Sequence, residues 1–132
     1  MRTIRAALAA ALILAGPAPV LAQAAQTEAV HALRSAEDEL RDTLRKMDDG
    51  SLPESSAVSR LRQAMNEVER AMLRMPGDAR QGAPWQTAVR EVSKAMTTLR
   101  EGADPATARA AAGQALGTLP ALGGEETGSS GG

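Results

Sequence analysis

The chain has 132 residues, 43% hydrophobic and 23% charged, with a formal net charge of −1 and no cysteine, phenylalanine or tyrosine. This composition excludes a disulfide scaffold, a thiol nucleophile, a thioether-linked haem and a lipid-modified cysteine, and it provides no basic stripe for nucleic acid. Whatever folds must do so by packing aliphatic side chains.

Residues 1–24 have the order of a secretory signal peptide. Arg2 and Arg5 form a positive start, Ala6 to Ala15 form an apolar run containing Leu8, Leu12, Ile13 and Leu14, and Gly16, Pro17 and Pro19 break the helix ahead of a cleavage region. Small residues place the cut after Ala22, the favoured position, or after Ala24. The apolar run is about half of the roughly 20 residues that a bilayer span needs, so the expectation is a cleaved leader and a periplasmic or secreted product without a stable membrane anchor. Cleavage removes two arginines, leaving 13 basic against 16 acidic residues and a net charge of about −3.

The mature part, residues 25–122, reads as one small helical domain. A first helix is expected from about Thr27, whose hydroxyl can cap it, to Asp48, with an apolar stripe through Val30, Leu33, Leu40, Leu44 and Met47. Asp49-Gly50 ends it and Pro53 closes the loop. A second helix follows, with Glu54, Ser55 and Ser56 as start signals and an unbroken seam through Val58, Leu61, Met65, Val68, Met72 and Met75. Pro76-Gly77 stops it.

After a polar loop through Gly82, Pro84 opens a third helix from Trp85 to Glu101, striped by Trp85, Val89, Val92, Met96 and Leu99 and stopped by Gly102. Asp104-Pro105 starts a fourth, alanine-rich helix to about Leu116, in which Ala108, Ala112 and Ala115 allow close approach to a neighbour. Residues 123–132 contain only Gly, Ser, Glu and Thr and are expected to be a disordered tail. Short loops make consecutive helices antiparallel neighbours. The predicted fold is all-α: a small up-down bundle of three main helices plus a shorter alanine-rich fourth. The alternative is a helical hairpin that completes its core by dimerising.

Several residues are candidates for chemistry. Met47, Met65, Met72, Met75 and Met96 carry soft thioether donors of the kind that bind Cu(I), but all fall on seam positions, where methionine fills gaps in a core. His31 is the only histidine, and with Glu28 it forms a single Glu-x-x-His, the half-motif that di-iron bundles use twice; here it falls on the outer side of its helix. Glu37 sits at a seam position, where three environments fit: a flank with its head in water, an ion pair with an arginine of another helix such as Arg60 or Arg90, or a ligand-facing acid. Trp85, the only aromatic residue, reads as a staple at the end of the core or a platform for a flat ligand.

No glycine-rich phosphate loop, paired catalytic carboxylates or serine elbow accompanies them, and Ser55 and Ser56 read as helix caps. The chain also lacks both Cys-x-x-Cys-His and a Leu-Thr-x-x-Gln repeat. The sequence thus nominates no catalytic, cofactor-binding or metal-ligating set. It points to a non-enzymatic protein that works by contact with a protein partner or a second copy, with a soft-metal or cofactor bundle as the alternative.

Overall fold

A computed structural model of the chain describes residues 17–122. Helix α1 (Pro17–Asp48) pairs with α2 (Glu54–Leu73), and α3 (Gly82–Arg100) pairs with α4 (Pro105–Thr118); a single 3-10 turn (Gly77–Ala79) lies in the connection between the pairs. The tail at 123–132 and most of the apolar leader lie outside the described residues.

The first helix starts ten residues earlier than expected, with Pro17 and Pro19 in its first turn rather than breaking it. Nothing is lost by this, because the first backbone N–H groups of a helix have no intrahelical partner and proline's fixed φ suits that position. Thr27 is consequently an exposed mid-helix residue, not a cap. Among the side chains described, the first buried one in α1 is Ala29, beyond both expected cut sites.

The stops follow local chemistry. Gly50 takes φ +79° after α1, where Asp49 accepts bonds from the backbone N–H of Ser51 at 2.8 Å and from its hydroxyl at 2.6 Å. Gly102 takes φ +81° after α3. There the N–H of Ala103 bonds to Thr98 O and that of Gly102 to Leu99 O, the paired pattern of a Schellman stop. Helix α2 ends two residues before the predicted Met75, since Pro76 disfavours helical geometry in the residue ahead of it; Met75 is nonetheless fully buried. Ser55 and Ser56 do not cap α2: the N-cap is Pro53, and the Ser56 hydroxyl donates back to Pro53 O at 3.3 Å.

Consecutive helices run antiparallel, as do α1 and α4, which leaves α2 and α4 parallel to each other. The groove between α1 and α2 is lined by Ala32, Ala36 and Glu39 from one helix and by Glu67, Ala71 and Arg74 from the other. Asp48 at the end of α1 meets Arg109 near the start of α4, and Arg62 in the first half of α2 donates to Leu99 O at the end of α3 at 3.0 Å. Helices α2 and α4 each pack on all three others. The fourth helix is therefore an integral wall of the bundle: Ala108, Ala112 and Ala115 are fully buried, and Leu119 and Leu122 beyond its end join the same core as Leu33, Leu40, Leu61, Met65 and Leu99.

Two stripe positions differ from expectation. Val89 is 39% exposed, and Ala88 takes its place in the core. In α1, Ala29 and Ala36 fill positions beside Leu33 and Leu40, while Val30 is half-buried. At both places a small side chain lets the helices approach closely, and the larger neighbour turns outward.

Candidate functional site

The methionines belong to the core. Met65, Met72, Met75 and Met96 are buried in the hydrophobic cluster and Met47 is partly buried against it, the placement of side chains that fill gaps between helices. His31 and Glu28 are exposed on α1. Among the described residues no group of three or more His, Cys, Asp or Glu side chains converges on a point where a metal ion could be held. Trp85 is half-buried and packs against the core at the start of α3, as a staple does.

Glu37 is the one buried charged side chain among the described residues, 4% exposed. Its partners belong to its own helix, not to another one: Arg34 Nη1 donates to Oε1 at 2.8 Å and Arg41 Nη2 donates to Oε2 at 2.8 Å. Arg60 is exposed on α2, and Arg90 lies 3.8 Å from Glu91. The positions three before and four after a helical residue are its natural surface neighbours, so two local arginines reach Glu37 before any distant one. Each carboxylate oxygen thus has a charge-assisted bond, which offsets the cost of burial and turns neither oxygen toward a ligand. Arg34 extends the network, donating to the main-chain oxygens of Leu119 at 3.2 Å, Pro120 at 3.3 Å and Leu122 at 2.6 Å.

At the opposite end, the α1–α2 turn and the start of α4 enclose a groove of about 520 Å³. Met47, Leu52, Pro53 and Pro105 give it apolar walls, Ala57 is its buried floor, and the Asp48–Arg109 pair stands on its rim. Arg109 grips Asp48 with two parallel bonds, Nε to Oδ1 at 2.8 Å and Nη2 to Oδ2 at 2.7 Å. That guanidinium holds the Asp48 carboxyl below the usual carboxylate range, and the carboxylate in turn raises Arg109. The groove was not singled out in the sequence. Its walls come from two loops and a helix start, and hydrophobic periodicity carries no information about which loops meet.

Two smaller clefts lie elsewhere among the described residues. One of about 260 Å³ runs between α1 and α2 and is lined by Glu39, Glu67, Arg70 and Arg74 around Ala36 and Ala71. The other, about 250 Å³, lies where Trp85 and Pro84 face Ala121, Leu122 and Gln26. Leu73 is the one large hydrophobic side chain that is mostly exposed, at 67%, among the described residues. No helix among the described residues is long and apolar enough to cross a membrane.

Comparison with protein-family models, with characterised proteins and with solved structures finds no match for this chain. The functional reading therefore rests on the geometry above.

Proposed function

We propose that this is an extracytoplasmic helical protein, periplasmic or secreted, that works by binding a protein partner through the groove at the α1–α2 turn. The observation that carries this reading is the groove itself: an open concavity with apolar walls and a charged rim. Protein interfaces pair an apolar centre with a polar surround in this way, and an apolar anchor residue flanked by polar ones fits such a shape. Met47 on the wall adds an unbranched, adaptable side chain suited to partners of different shape. The core seams are consumed by the bundle itself, so the groove supplies contact surface without loss of stability.

The extracytoplasmic address rests on the order of charges, apolar residues and small residues in 1–24. Either cut falls within the first eight residues of α1 and ahead of Ala29, the first buried side chain among those described, so processing leaves the described core whole. Amino-terminal sequencing of the exported protein should begin at Gln23 or Ala25; an intact Met1 in the exported protein would remove the cleaved-leader reading.

The absence of cysteine makes the contact test direct. A photo-crosslinker attached through Leu52→Cys on the groove wall should trap a discrete adduct in the envelope of the producing cell. The same reagent attached through Ser93→Cys, on the exposed side of α3, should not. An adduct of twice the chain mass identifies a second copy and any other mass a distinct partner. Equal labelling from both positions, or none from either, sinks the groove as the contact surface.

A further inference from the structure

The segment beyond α4 is held to the bundle in an unusual way. Residues 119–122 leave the helix in two consecutive turns, with the N–H of Leu119 bonded to Leu116 O and that of Leu122 bonded to Leu119 O. Those bonds are local. The described hydrogen bonds that tie the segment to the rest of the molecule come from one side chain, Arg34, whose guanidinium gathers the carbonyls of Leu119, Pro120 and Leu122. The guanidinium is itself fixed from the other side by the buried Glu37.

We propose that residues 119–122 are a releasable strap, latched by Arg34, that closes the end of the bundle and gates the cleft beside Trp85. Two observations carry this. Leu119 and Leu122 are buried in the core although they lie outside any helix, so the strap fills an apolar seat with two side chains. Ala121 and Leu122 also form the wall of the cleft opposite Trp85 and Pro84. Lifting the strap therefore removes one side of that cleft and uncovers both the indole and the leucine seats in one movement. Segments that open as units separate from the global transition have few ties to the rest of the fold, and the described ties of residues 119–122 are the two leucine side chains and one guanidinium. Its latch has one further property: the acceptors described in the strap are main-chain oxygens, so side-chain changes at 120 or 121 leave those bonds in place, whereas loss of the Arg34 charge removes them together.

The test uses the full processed chain, with amide hydrogen exchange at Leu119 and Leu122 compared with Leu61 and Leu99 in the core, and acrylamide quenching of Trp85. Arg34→Gln should speed exchange at Leu119 and Leu122 on the order of tenfold, the scale of losing charge-assisted bonds. Leu61 and Leu99 should be unchanged and Trp85 more easily quenched. Arg41→Gln, which touches Glu37 but not the strap, should do neither. Acceleration of all four amides in step, no acceleration at Leu119 and Leu122, or unchanged Trp85 quenching would each overturn the proposal. Should Arg34→Gln not fold, the unmodified chain still decides: exchange at Leu119 and Leu122 must show a weaker urea dependence than at Leu61, and an equal dependence refutes a separate opening.

Discussion

Helices α2 and α4 are both buried along one whole side, yet they fill the interior by opposite means. Along α2 the buried positions are Ala57, Leu61, Ala64, Met65, Val68, Ala71 and Met72; along α4 they are only Ala108, Ala112 and Ala115. The first helix supplies volume. The second supplies proximity, because three methyl groups on one face let its backbone come close to three neighbours at once. Zero exposure therefore means two different things in one bundle: large side chains interlocking in the first case, and backbone excluding water in the second. Arginine chemistry shows a parallel contrast. Around Glu37 the guanidiniums close over a carboxylate that is 6% exposed, while Arg109 grips one that is 55% exposed. Desolvation makes the former bonds strong and solvent screens the latter.

The largest expected effect tests the volume side of this contrast. Met65→Ala on α2 should cost about 2–5 kcal/mol in urea unfolding, since a fully buried side chain would leave a cavity that interlocked neighbours cannot close. The opposite substitution tests proximity. Ala112→Leu should cost about 1–3 kcal/mol, because three added carbon atoms must be fitted where α4 has no room to retreat from α1, α2 and α3 together. A neutral Ala112→Leu would show that α4 leans loosely on the bundle and that the contrast between the two helices is false.

How much of this is legible in the sequence depends on the distance over which each feature is encoded. Leu33, Leu40, Leu61, Met65 and Leu99 follow from period alone, because a helix repeats its inner face every three or four residues. The positive φ of Gly50 and Gly102 follows from local stop chemistry. Periodicity fails where alanine competes with a larger residue next to it. Val89 outranks Ala88 in hydrophobicity, but close helix approach selects the smaller one, and nothing within α3 records how near α4 will come. The start at Pro17 was misplaced for another reason: proline signals a helix break and a helix opening with the same letter. The stepping places Glu37 at a seam position but leaves a water-facing flank, a pair with an arginine of another helix and a ligand-facing acid all open. The structure buries it and pairs it with Arg34 and Arg41 of its own helix, a fourth arrangement that the one-turn spacing of those arginines already encodes. The latch of Arg34 is beyond sequence reading altogether. Its acceptors are carbonyls 85 to 88 residues away, and every residue has a carbonyl.

A smaller effect joins the two halves of the contrast at Gly113. A Cβ built there would lie 2.9 Å from Nη1 of Arg109, whose guanidinium is engaged with Asp48. Alanine at a helix interior is favoured over glycine by about 0.5–1 kcal/mol. In the unmodified chain Gly113→Ala should recover only part of that, since the guanidinium has to shift and its two bonds to Asp48 loosen. Combined with Asp48→Ala, which frees Arg109, the same change should recover it fully. The difference in a double-mutant cycle measures how tightly the outer pair constrains α4, and equal gains in both backgrounds would mean that it constrains nothing.

The smallest effect is the pH response of that outer pair, and its sign is fixed by the geometry. Arg109 lowers the Asp48 carboxyl below its unfolded value, so folding favours the ionised form. The stabilisation is fully present above the unfolded carboxylate pKa of about 4 and is lost as pH falls through the lower folded value. Asp42, Asp49 and Asp104 shift in the same direction, chiefly through Lys46, Ser51 and Thr107 respectively, so acid destabilisation of the unmodified chain reports on all four. The difference in Tm between that chain and Asp48→Asn isolates one. It should be small and positive near neutral pH, close progressively below about pH 4, and shrink in high salt because both partners face water. A gap that is absent at every pH would assign the docking of α4 onto α1 to the alanine face alone, and the rim of the groove would then be free to exchange Asp48 for a partner's carboxylate without loosening the fold.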